Sequence, residues 1–320
     1  MGNTNLNKAK NAKNDEFYTR IEDINSELVH YEHHFKGKTV LCNCDDPTWS
    51  AFWKYFHLNF KKLGLKKLIS THYDREKPTY KMEYTGGDDN DIEVGVKTPL
   101  EGNGDFRNQE CIEILKEADV VVTNPAFSLF REYVAQLMEY GKKFLIIGNM
   151  NAVTYKGFFP LIRDNELWYG ASIHSGNRKF YVPDNYPLEA AECGIDENGQ
   201  RYIKVKGVRW FTNLDYVARH ENLTLWKNYT PEEYPKYDNY DAINVNKYSE
   251  IPVGYDGVIG VPITFMDFYC PEQFDILGIS ASWDETDIMK RIKLSETHRH
   301  GPIMNGKEMY RRIFIRRKDV

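Results

Sequence analysis

The residues with the most readily inferred chemistry are Asn124-Pro125-Ala126-Phe127, which follow the run Ala-Asp-Val-Val-Val-Thr at positions 118–123. A β-branched run stopped by Asn-Pro predicts a buried strand that ends in a sharp turn. Proline fixes its own φ angle and biases Asn124 toward an extended conformation. The turn can therefore present the Asn124 amide, the Pro125 carbonyl and the Phe127 ring beyond the carboxyl end of a sheet, where open α/β sheets bind ligands.

Two neutral acceptors beside an aromatic ring suit methyl transfer to an exocyclic amino group of a base. The lone pair of that nitrogen is delocalised into the base, and acceptors at Asn124 Oδ1 and the Pro125 carbonyl would bind both amino hydrogens and favour a pyramidal nitrogen. Phe127 would stack on a base rotated out of the duplex. The gain would be electrostatic and positional. The residues alone leave open the alternative that Asn-Pro merely caps a strand before a helix that begins at Phe127.

Asn-Pro-Ala-Phe resembles the Asp/Asn-Pro-Pro-aromatic motif of amino-directed methyltransferases that depend on S-adenosylmethionine. Three further blocks resemble the EcoRI-type family of adenine-specific DNA methyltransferases in particular: Lys-Asn-Asp-Glu-Phe-Tyr-Thr (13–19), Cys-Asn-Cys-Asp-Asp-Pro (42–47) and Phe-Ser-Leu-Phe-Arg-Glu-Tyr (127–133). The likeness covers nearly the whole chain. The chain departs from the wider motif at Ala126, where a second proline usually stands, so we expect a less rigid turn with the chemistry retained.

The resemblance implies a catalytic turn and a set of cofactor contacts. The catalytic residues would be Asn124, Pro125 and Phe127. The cofactor would be S-adenosylmethionine, with the Phe-Tyr-Thr block around its methionine end and an Asp-Phe pair at its adenine. The implied cofactor-binding residues are Phe17, Tyr18, Thr19, Asn43, Cys44, Asp45, Asp105 and Phe106.

The turn after the first predicted strand, at positions 43–47, contains no glycine. A phosphate cradle is unnecessary there because this cofactor has no pyrophosphate, and carboxylates suit its cationic ammonium group and ribose hydroxyls. The alternative is that Asp45 and Asp46 cap the helix that follows. Cys42 and Cys44 have no second Cys or His pair at zinc spacing, so no metal site is predicted.

Composition limits the class of protein. The chain has 320 residues, 41% of them hydrophobic and 28% charged, which is ordinary for a globular protein with one large domain or a domain and a smaller companion. No stretch approaches the ~20 apolar residues of a membrane span, and the polar N-terminus is not a secretory signal. Five scattered cysteines do not suggest a disulfide framework. We therefore expect a cytoplasmic protein with no membrane partner, and the resemblance implies a prokaryotic or phage-infected cell.

The distribution of charge is more informative than its sum. The net charge of −5 argues only mildly against nucleic-acid binding, because binding depends on where the cations cluster. Positions 289–320 carry ten Lys or Arg against three Asp or Glu. This basic tail predicts a DNA-binding face whose cations contact phosphates while polar side chains read base edges. A solvated strand of alternating charge is the alternative reading of positions 309–317.

Hydrophobic periodicity predicts an α/β fold built on a doubly wound mixed sheet. The resemblance implies that positions 1–213 form a Rossmann-like class I methyltransferase domain. After about position 214 the βαβ alternation stops and prolines become frequent, which predicts a separate lobe at 214–320, and the resemblance implies that this C-terminal lobe recognises the target. The predicted helices are 22–35, 48–63, 108–116, 127–140 and 155–163; the predicted strands are 38–42, 66–71, 80–84, 92–96, 119–123, 143–148 and 167–170, with 201–205 and 208–212 as an antiparallel pair that finishes the sheet.

The predicted activity is site-specific methylation of adenine N6 in double-stranded DNA. The resemblance also implies a restriction-modification context, action as a monomer, and a cognate restriction endonuclease that acts on the same site without a stable complex. Two alternatives stay open. One is a methyltransferase of the same fold that acts on RNA or on a protein glutamine, and the other is a non-catalytic relative that binds cofactor or DNA.

Overall fold

The computed structural model describes residues 17–44, 46–74, 78–188, 192–295 and 301–318. The chain divides into two units, one formed by Met1–Asn149 with Gly170–Asp215 and the other by Met150–Tyr169 with Tyr216–Val320. Within the described ranges, no helix is long and apolar enough to cross a membrane.

The helices and strands are numbered in chain order. The helices are α1 (Ile21–Leu28), α2 (Ala51–Leu58), α3 (Phe60–Leu63), α4 (Gln109–Glu117), α5 (Phe130–Glu139), α6 (Phe159–Arg163) and α7 (Asp287–Ile292). The strands are β1 (Thr39–Cys42), β2 (Lys67–Thr71), β3 (Tyr80–Tyr84), β4 (Val96–Pro99), β5 (Val120–Thr123), β6 (Lys143–Asn149), β7 (Trp168–Tyr169), β8 (Asn177–Tyr181), β9 (Cys193–Ile195), β10 (Arg201–Lys206), β11 (Val208–Thr212), β12 (Ile243–Asn244), β13 (Ile259–Val261), β14 (Phe274–Ile279), β15 (Ile303–Met304), β16 (Lys307–Glu308) and β17 (Ile313–Arg317). Short 3₁₀ turns lie at Glu32–His34, Met150–Thr154, Val217–His220, Tyr248–Glu250 and Ile263–Phe268.

Seven strands of the first unit lie side by side in the order β4-β3-β2-β1-β5-β6-β11. Strands β2, β1, β5 and β6 are parallel to their neighbours in this series, whereas β3, β4 and β11 are antiparallel to theirs. The central strands β1 and β5 are buried along their whole length, as is usual for parallel strands covered on both faces. The predicted α/β class and its large mixed sheet are confirmed.

The predicted helix at 48–63 is two helices. Ser50 caps the first, because its hydroxyl accepts a hydrogen bond from the Trp53 amide at 3.3 Å. Asn59 then leaves the helical backbone, with φ −105° and ψ 12°, and its side chain donates to the Tyr55 carbonyl at 2.8 Å. The predicted helix at 22–35 likewise ends early, at Leu28, and a 3₁₀ turn follows.

The strand predicted at 92–96 lies instead at Val96–Pro99. The Ile92 carbonyl accepts from Trp53 Nε1 at 2.9 Å, and the Val94 carbonyl lies 2.9 Å from His57 Nε2. These carbonyls therefore bind side chains of α2 and are not used in a strand ladder.

The runs 201–205 and 208–212 do not pair with each other as predicted. Strand β11 completes the main sheet beside β6, whereas β10 lies between β8 and β9 in a separate three-stranded sheet. Gly207, at φ +69°, turns the chain between them. Burial explains the separation, because all of β11 is buried while Lys204 and Lys206 of β10 are exposed.

The second unit contains a four-stranded sheet in the order β12-β13-β17-β14. The hairpin β15–β16 turns at Asn305 and Gly306, whose φ angles of +51° and +73° are those a tight hairpin turn requires. Buried Asn239 anchors this hairpin by accepting from the Ile303 amide at 2.7 Å and donating to the Gly301 carbonyl at 3.3 Å. The core beside it is formed by Tyr237, Tyr240, Ala242, Val258, Met289, Ile292 and Phe314.

Residues Met150–Tyr169 group with the second unit, although the sequence pattern places them in the first domain. Helix α6 packs against β14, and the 3₁₀ turn Met150–Thr154 packs against the turn Ile263–Phe268. The segment is therefore an excursion from the end of β6, and the chain returns to the first unit at Gly170.

Glu27 of α1 holds this return in place. Its side chain is fully buried, and its carboxylate accepts from the Ala171 and Ser172 amides at 2.7 Å each and from the Tyr31 hydroxyl at 2.9 Å. A Cβ on Gly170 would collide with Glu27 Oε1, so only glycine fits beside the carboxylate. Glu27 thus fixes the segment that leads into β8.

We expect Glu27→Gln to lower the free energy of unfolding by roughly 2–3 kcal/mol, because the new amide NH₂ would face an N–H or O–H donor that the carboxylate now satisfies. Urea denaturation followed by circular dichroism measures the loss. Glu22→Gln is the matched control on the same helix, since that side chain is 65% exposed and pairs with Arg20 at the surface. Such a surface pair contributes about 0–1 kcal/mol. Similar losses in both variants would contradict the role given to Glu27.

Candidate active site

The register of the main sheet brings two of the predicted turns to one edge. Strands β1 and β5 are parallel neighbours, with Val40 opposite Val120 and Leu41 opposite Val121. Asn43 follows β1 and Asn124 follows β5, so both leave the sheet at its carboxyl edge. That edge, between strands whose connections diverge, is where ligands bind in α/β sheets of this kind.

Asn124 is oriented by a buried hydrogen bond. Its side chain is 7% exposed, and Nδ2 donates to the Phe17 carbonyl at 2.6 Å. Because the nitrogen is used by the protein, Oδ1 is the part of the amide that remains to accept from another donor. Pro125 beside it is buried, and the Ala126 carbonyl accepts from the Leu129 amide at 2.9 Å, which starts the turn into α5. The Asn124 side chain thus makes a tertiary hydrogen bond in addition to following the strand.

Phe127 lies in an aromatic cluster with the N-terminal block. Its ring is 5.7 Å from that of Phe17 in an edge-to-face arrangement. Phe17 is also 6.0 Å from Phe180 and 6.3 Å from Tyr186, and it is 3% exposed. Phe17 thus contacts the turn at positions 124–127 through both its backbone and its ring, although the two segments are more than a hundred positions apart.

Tyr18 and Thr19 continue the block. Tyr18 pairs with Tyr181 through two backbone hydrogen bonds of 2.9 and 3.0 Å, and its ring lies 4.0 Å from that of Trp49. Thr19 is 4% exposed, and its hydroxyl makes no hydrogen bond within the described part of the chain. The hydroxyls of Ser70 and Thr123, at the ends of β2 and β5, are buried in the same way.

Asn43 and Phe106 are linked through Tyr133 of α5. The Tyr133 hydroxyl donates to Asn43 Oδ1, and its ring lies 5.1 Å from that of Phe106. Burial raises the pKa of Tyr133 well above its usual value, so the hydroxyl keeps its proton and acts as a donor. The Phe106 carbonyl accepts from Gln136 Nε2 at 3.0 Å. Cys44 is half-buried, with Sγ 4.0 Å from Asn43 Oδ1.

Asp105 is held by Arg107. Its carboxylate accepts from Arg107 Nε at 2.8 Å and Nη2 at 2.6 Å, and the Arg107 guanidinium lies 5.4 Å from the Phe106 ring. The Arg107 hydrogen bonds lower the pKa of Asp105, so the carboxylate is ionised at neutral pH. Asp105 is thus an acceptor already occupied by a neighbouring cation that is half exposed.

The acidic turn after β1 is held by hydrogen bonds to Asp46. Asp45 lies outside the described residues. Asp46 Oδ1 accepts from the Thr48 amide at 2.9 Å, the Thr48 hydroxyl at 2.7 Å and the Tyr80 hydroxyl at 2.6 Å. Burial raises the pKa of Asp46, but these donors outweigh burial and leave the pKa below its usual value. Asp46 therefore closes a turn at Thr48, two residues before the N-cap of α2 at Ser50.

Several residues around the site were not identified from the sequence. Tyr133 closes the block Phe-Ser-Leu-Phe-Arg-Glu-Tyr, but nothing in its spacing indicates a bond to Asn43. Trp49 and Tyr181 flank Tyr18 because of tertiary pairing, which a single sequence does not reveal. Within the described ranges, no three His, Cys, Asp or Glu side chains come together in a way that could hold a metal ion.

Comparison with known proteins supplies the family. The profile of the family described as "Adenine-specific methyltransferase EcoRI" matches residues 5–318. Type II methyltransferase M.EcoRI of Escherichia coli is 46% identical, with 98% of this chain and 96% of that protein covered. Type II methyltransferase M.MpnI of Mycoplasma pneumoniae is 40% identical, with 98% of each covered. Type II methyltransferase M.MgeORF184P of Mycoplasma genitalium is 37% identical, covering 98% of this chain and 99% of that protein. No solved structure matches the chain. A profile that spans nearly the whole chain and relatives of this similarity show that the chain belongs to the EcoRI family of adenine-specific methyltransferases.

Proposed function

We propose that the chain transfers a methyl group from S-adenosylmethionine to the exocyclic N6 amino group of adenine at a specific sequence in double-stranded DNA. The observation that carries this proposal is the fixed Asn124 amide, whose nitrogen donates to the Phe17 carbonyl, so that its oxygen is left to accept from another donor. The family description "adenine-specific" and the Type II naming of the relatives support the choice of adenine and of DNA. We further propose a restriction-modification setting in the cytoplasm, with the enzyme acting as a monomer beside a separate endonuclease.

The proposed chemistry needs hydrogen-bond acceptors and no general base of high pKa. Asn124 Oδ1 and the Pro125 carbonyl would accept the two N6 hydrogens, which localises the nitrogen lone pair and directs it out of the base plane. Phe127 would hold the base against the turn after it has left the duplex. The methylated nitrogen carries one extra proton, which is released to water because an amide or carbonyl oxygen is too weak a base to keep it. The turn would therefore accelerate the reaction because its acceptor dipoles are oriented before the amino group arrives.

The residues present fit S-adenosylmethionine, which supplies an electrophilic methyl group when it is bound. The buried hydroxyls of Thr19, Ser70 and Thr123 lack partners within the described ranges and would be satisfied by the hydroxyl, amino or carboxylate groups of the cofactor. Asn43, supported by Tyr133, would bind near them. Asp105 and Phe106 would hold the adenine of the cofactor once the exposed Arg107 side chain has changed rotamer.

We assign cofactor binding and catalysis to the first unit, as a Rossmann-like methyltransferase domain, and target recognition to the second. Two arginines of the basic tail do not contribute to this target-recognition surface, because their side chains are buried. Arg312 Nη2 donates to Asn246 Oδ1 at 3.0 Å, and Arg317 Nη1 donates to the Pro252 carbonyl at 3.2 Å. Tyr310, which follows the anchored hairpin, is 83% exposed and is the best placed aromatic contact. The exposed cations that would contact phosphates are Lys290, Arg291, Lys307, Arg316 and Lys318.

The decisive experiment is transfer of labelled methyl from S-adenosylmethionine to methylation-free DNA, followed by nucleoside analysis. We expect the label in N6-methyladenine. RNA and protein extracts are assayed in parallel, and label in one of these with none in DNA would replace the proposal by the first alternative. Cofactor binding without label on any substrate would favour the non-catalytic alternative.

Asn124→Ala should lower the turnover number on DNA by about 100-fold or more, the loss typical of removing one preorganised hydrogen-bonding group. Single-turnover kinetics at saturating DNA and cofactor measure it. Asn124→Asp keeps an acceptor but cannot donate to Phe17, so it should retain more activity than alanine while binding cofactor more weakly than wild type. Asn90→Ala, at an exposed loop position, is the control and should be neutral. Wild-type turnover in Asn124→Ala would remove the turn from the mechanism.

Thr19→Val tests the cofactor site, because it removes a buried hydroxyl that has no protein partner within the described ranges and keeps the side-chain shape. We expect the dissociation constant of S-adenosylmethionine, measured by calorimetry, to rise about fivefold to tenfold, the loss of one hydrogen bond, with stability unchanged or improved. Thr212→Val is the matched control. Its hydroxyl donates to the Phe144 carbonyl at 2.7 Å, so that change should reduce stability and leave cofactor affinity as it is. The reverse pattern would place the cofactor elsewhere.

A further inference from the structure

Two side-chain amides follow neighbouring strands of the main sheet, and the protein binds them at opposite ends. Asn43 follows β1 and Asn124 follows β5, and these parallel neighbours run about 4.8 Å apart. Asn124 donates from its nitrogen to the Phe17 carbonyl. Asn43 instead accepts from the Tyr133 hydroxyl at its oxygen, Oδ1. The group of Asn43 that is left for another partner is therefore the nitrogen, Nδ2.

The surroundings of Asn43 Oδ1 explain why the oxygen is the bound end. Both groups that contact it are hydrogen-bond donors, namely the Tyr133 hydroxyl and the Cys44 thiol, whose Sγ lies at 4.0 Å. Burial raises the pKa of Tyr133 well above its usual value, so the hydroxyl has a proton to donate. An amide oxygen accepts, whereas an amide NH₂ group only donates. Within the described ranges Asn43 Nδ2 makes no hydrogen bond, and it stays accessible to solvent because the residue is only half-buried.

Tyr133 can hold Asn43 because Tyr133 is itself fixed. Its amide donates to the Leu129 carbonyl at 2.9 Å, which places it in the first turn of α5. Its side chain is 1% exposed, and its ring packs edge-to-face 5.1 Å from that of Phe106. Helix α5 begins just after the turn at 124–127, so one rigid element leads from that turn to the hydroxyl that binds Asn43.

A buried tyrosine hydroxyl usually has a hydrogen-bond partner, and this requirement alone is one explanation of the bond. A backbone carbonyl meets the same requirement elsewhere, since the Tyr169 hydroxyl donates to the Met150 carbonyl at 3.0 Å. A backbone partner orients no side chain. The bond from Tyr133 differs because it orients an amide at the edge of the sheet to which the cofactor is assigned.

We propose that Tyr133 is a positioning residue for S-adenosylmethionine: it holds Asn43 Oδ1, so that Asn43 Nδ2 donates a hydrogen bond to an acceptor group of the cofactor. This role rests on the proposed function and deepens it, because it assigns a polarity to the Asn43 contact. The cofactor offers two kinds of acceptor, the carboxylate of its methionine part and the ring nitrogens of its adenine. The edge of the sheet would then carry an accepting amide for the substrate and a donating amide for the cofactor.

Asn43→Ala and Asn43→Asp separate the two ends of this amide when cofactor binding to the full chain is measured by calorimetry without DNA. Asn43→Ala should raise the dissociation constant about fivefold to tenfold, the loss of one hydrogen bond. Asn43→Asp keeps the shape and an acceptor for Tyr133 but puts an oxygen in place of the donor. We expect it to weaken binding at least as much, and on the order of a hundredfold if the acceptor is the cofactor carboxylate. Affinity near wild type in Asn43→Asp would overturn the inference.

The compound 5′-methylthioadenosine identifies the acceptor, because it keeps the adenosine part of the cofactor and lacks the amino-acid part. If Asn43→Ala weakens binding of this compound as well, the acceptor belongs to the adenine. If its binding is unchanged while that of S-adenosylmethionine is weakened, the acceptor is the carboxylate.

Tyr133→Phe tests the positioning role, because it removes the hydroxyl and keeps the ring that packs on Phe106. We expect the dissociation constant of S-adenosylmethionine to rise about threefold to fivefold, with turnover at saturating cofactor and DNA nearly unchanged. In the Asn43→Ala background the same substitution should cause no further loss, because Tyr133 acts through Asn43. An equal loss in both backgrounds would mean that the hydroxyl acts without Asn43, and the positioning role would be wrong.

Tyr237→Phe is the matched control, since the buried Tyr237 hydroxyl donates to Asn244 Oδ1 at 2.8 Å in the second unit. Both tyrosine variants should unfold at lower urea concentration, but only Tyr133→Phe should change cofactor affinity. Weaker cofactor binding in Tyr237→Phe would show that affinity follows stability, which would contradict the inference. Failure of the proposed function is distinct, because it appears as absence of labelled N6-methyladenine from a wild-type chain that binds the cofactor.

Discussion

The hydrogen bond from Asn124 Nδ2 to the Phe17 carbonyl is the constraint on which the candidate active site depends. Both residues are buried, and the bond joins segments that are 107 positions apart in sequence. An amide whose nitrogen is held in this way has its oxygen left to accept from another donor. One bond therefore fixes the N-terminal block and also orients the Asn124 amide. An unpaired buried donor is costly, and the orientation is therefore maintained before any substrate arrives.

The carboxylates near the carboxyl edge of the main sheet bind other groups of the protein, so the turn at positions 124–127 stays neutral. Asp46 closes a turn through Thr48 and accepts from the Tyr80 hydroxyl of β3, and Asp105 is paired with Arg107. Tyr133 keeps its proton because burial raises its pKa, and it supports Asn43 as a neutral donor. Activation of an amine by hydrogen bonding requires acceptors in fixed positions. Here Asn124 and Asn43 are held in place by their own hydrogen bonds to Phe17 and Tyr133.

Local pattern predicted much of this architecture. The β-branched run before Asn124 and the helical spacing on either side of it were sufficient for β5 and α5, and resemblance led to Phe17. The failures have physical causes. Asn59 divides a continuous apolar pattern because its amide binds the preceding turn, and β10 and β11 go to different sheets although both are β-branched and aromatic. The roles of Tyr133 and Trp49 depend on tertiary partners, which spacing along one sequence does not encode.

The distribution of charge shows most clearly what the pattern along one sequence cannot predict. The density of cations along the chain points to the basic tail, yet Arg312 and Arg317 of that tail are buried and bind backbone or amide oxygens. Folding also pairs a cation outside the tail, since the Lys179 ammonium lies 3.0 Å from the Asp196 carboxylate. The charge that a protein presents to another molecule therefore depends on which cations folding buries or pairs, because binding responds to the potential at one surface and the net charge averages over all of them.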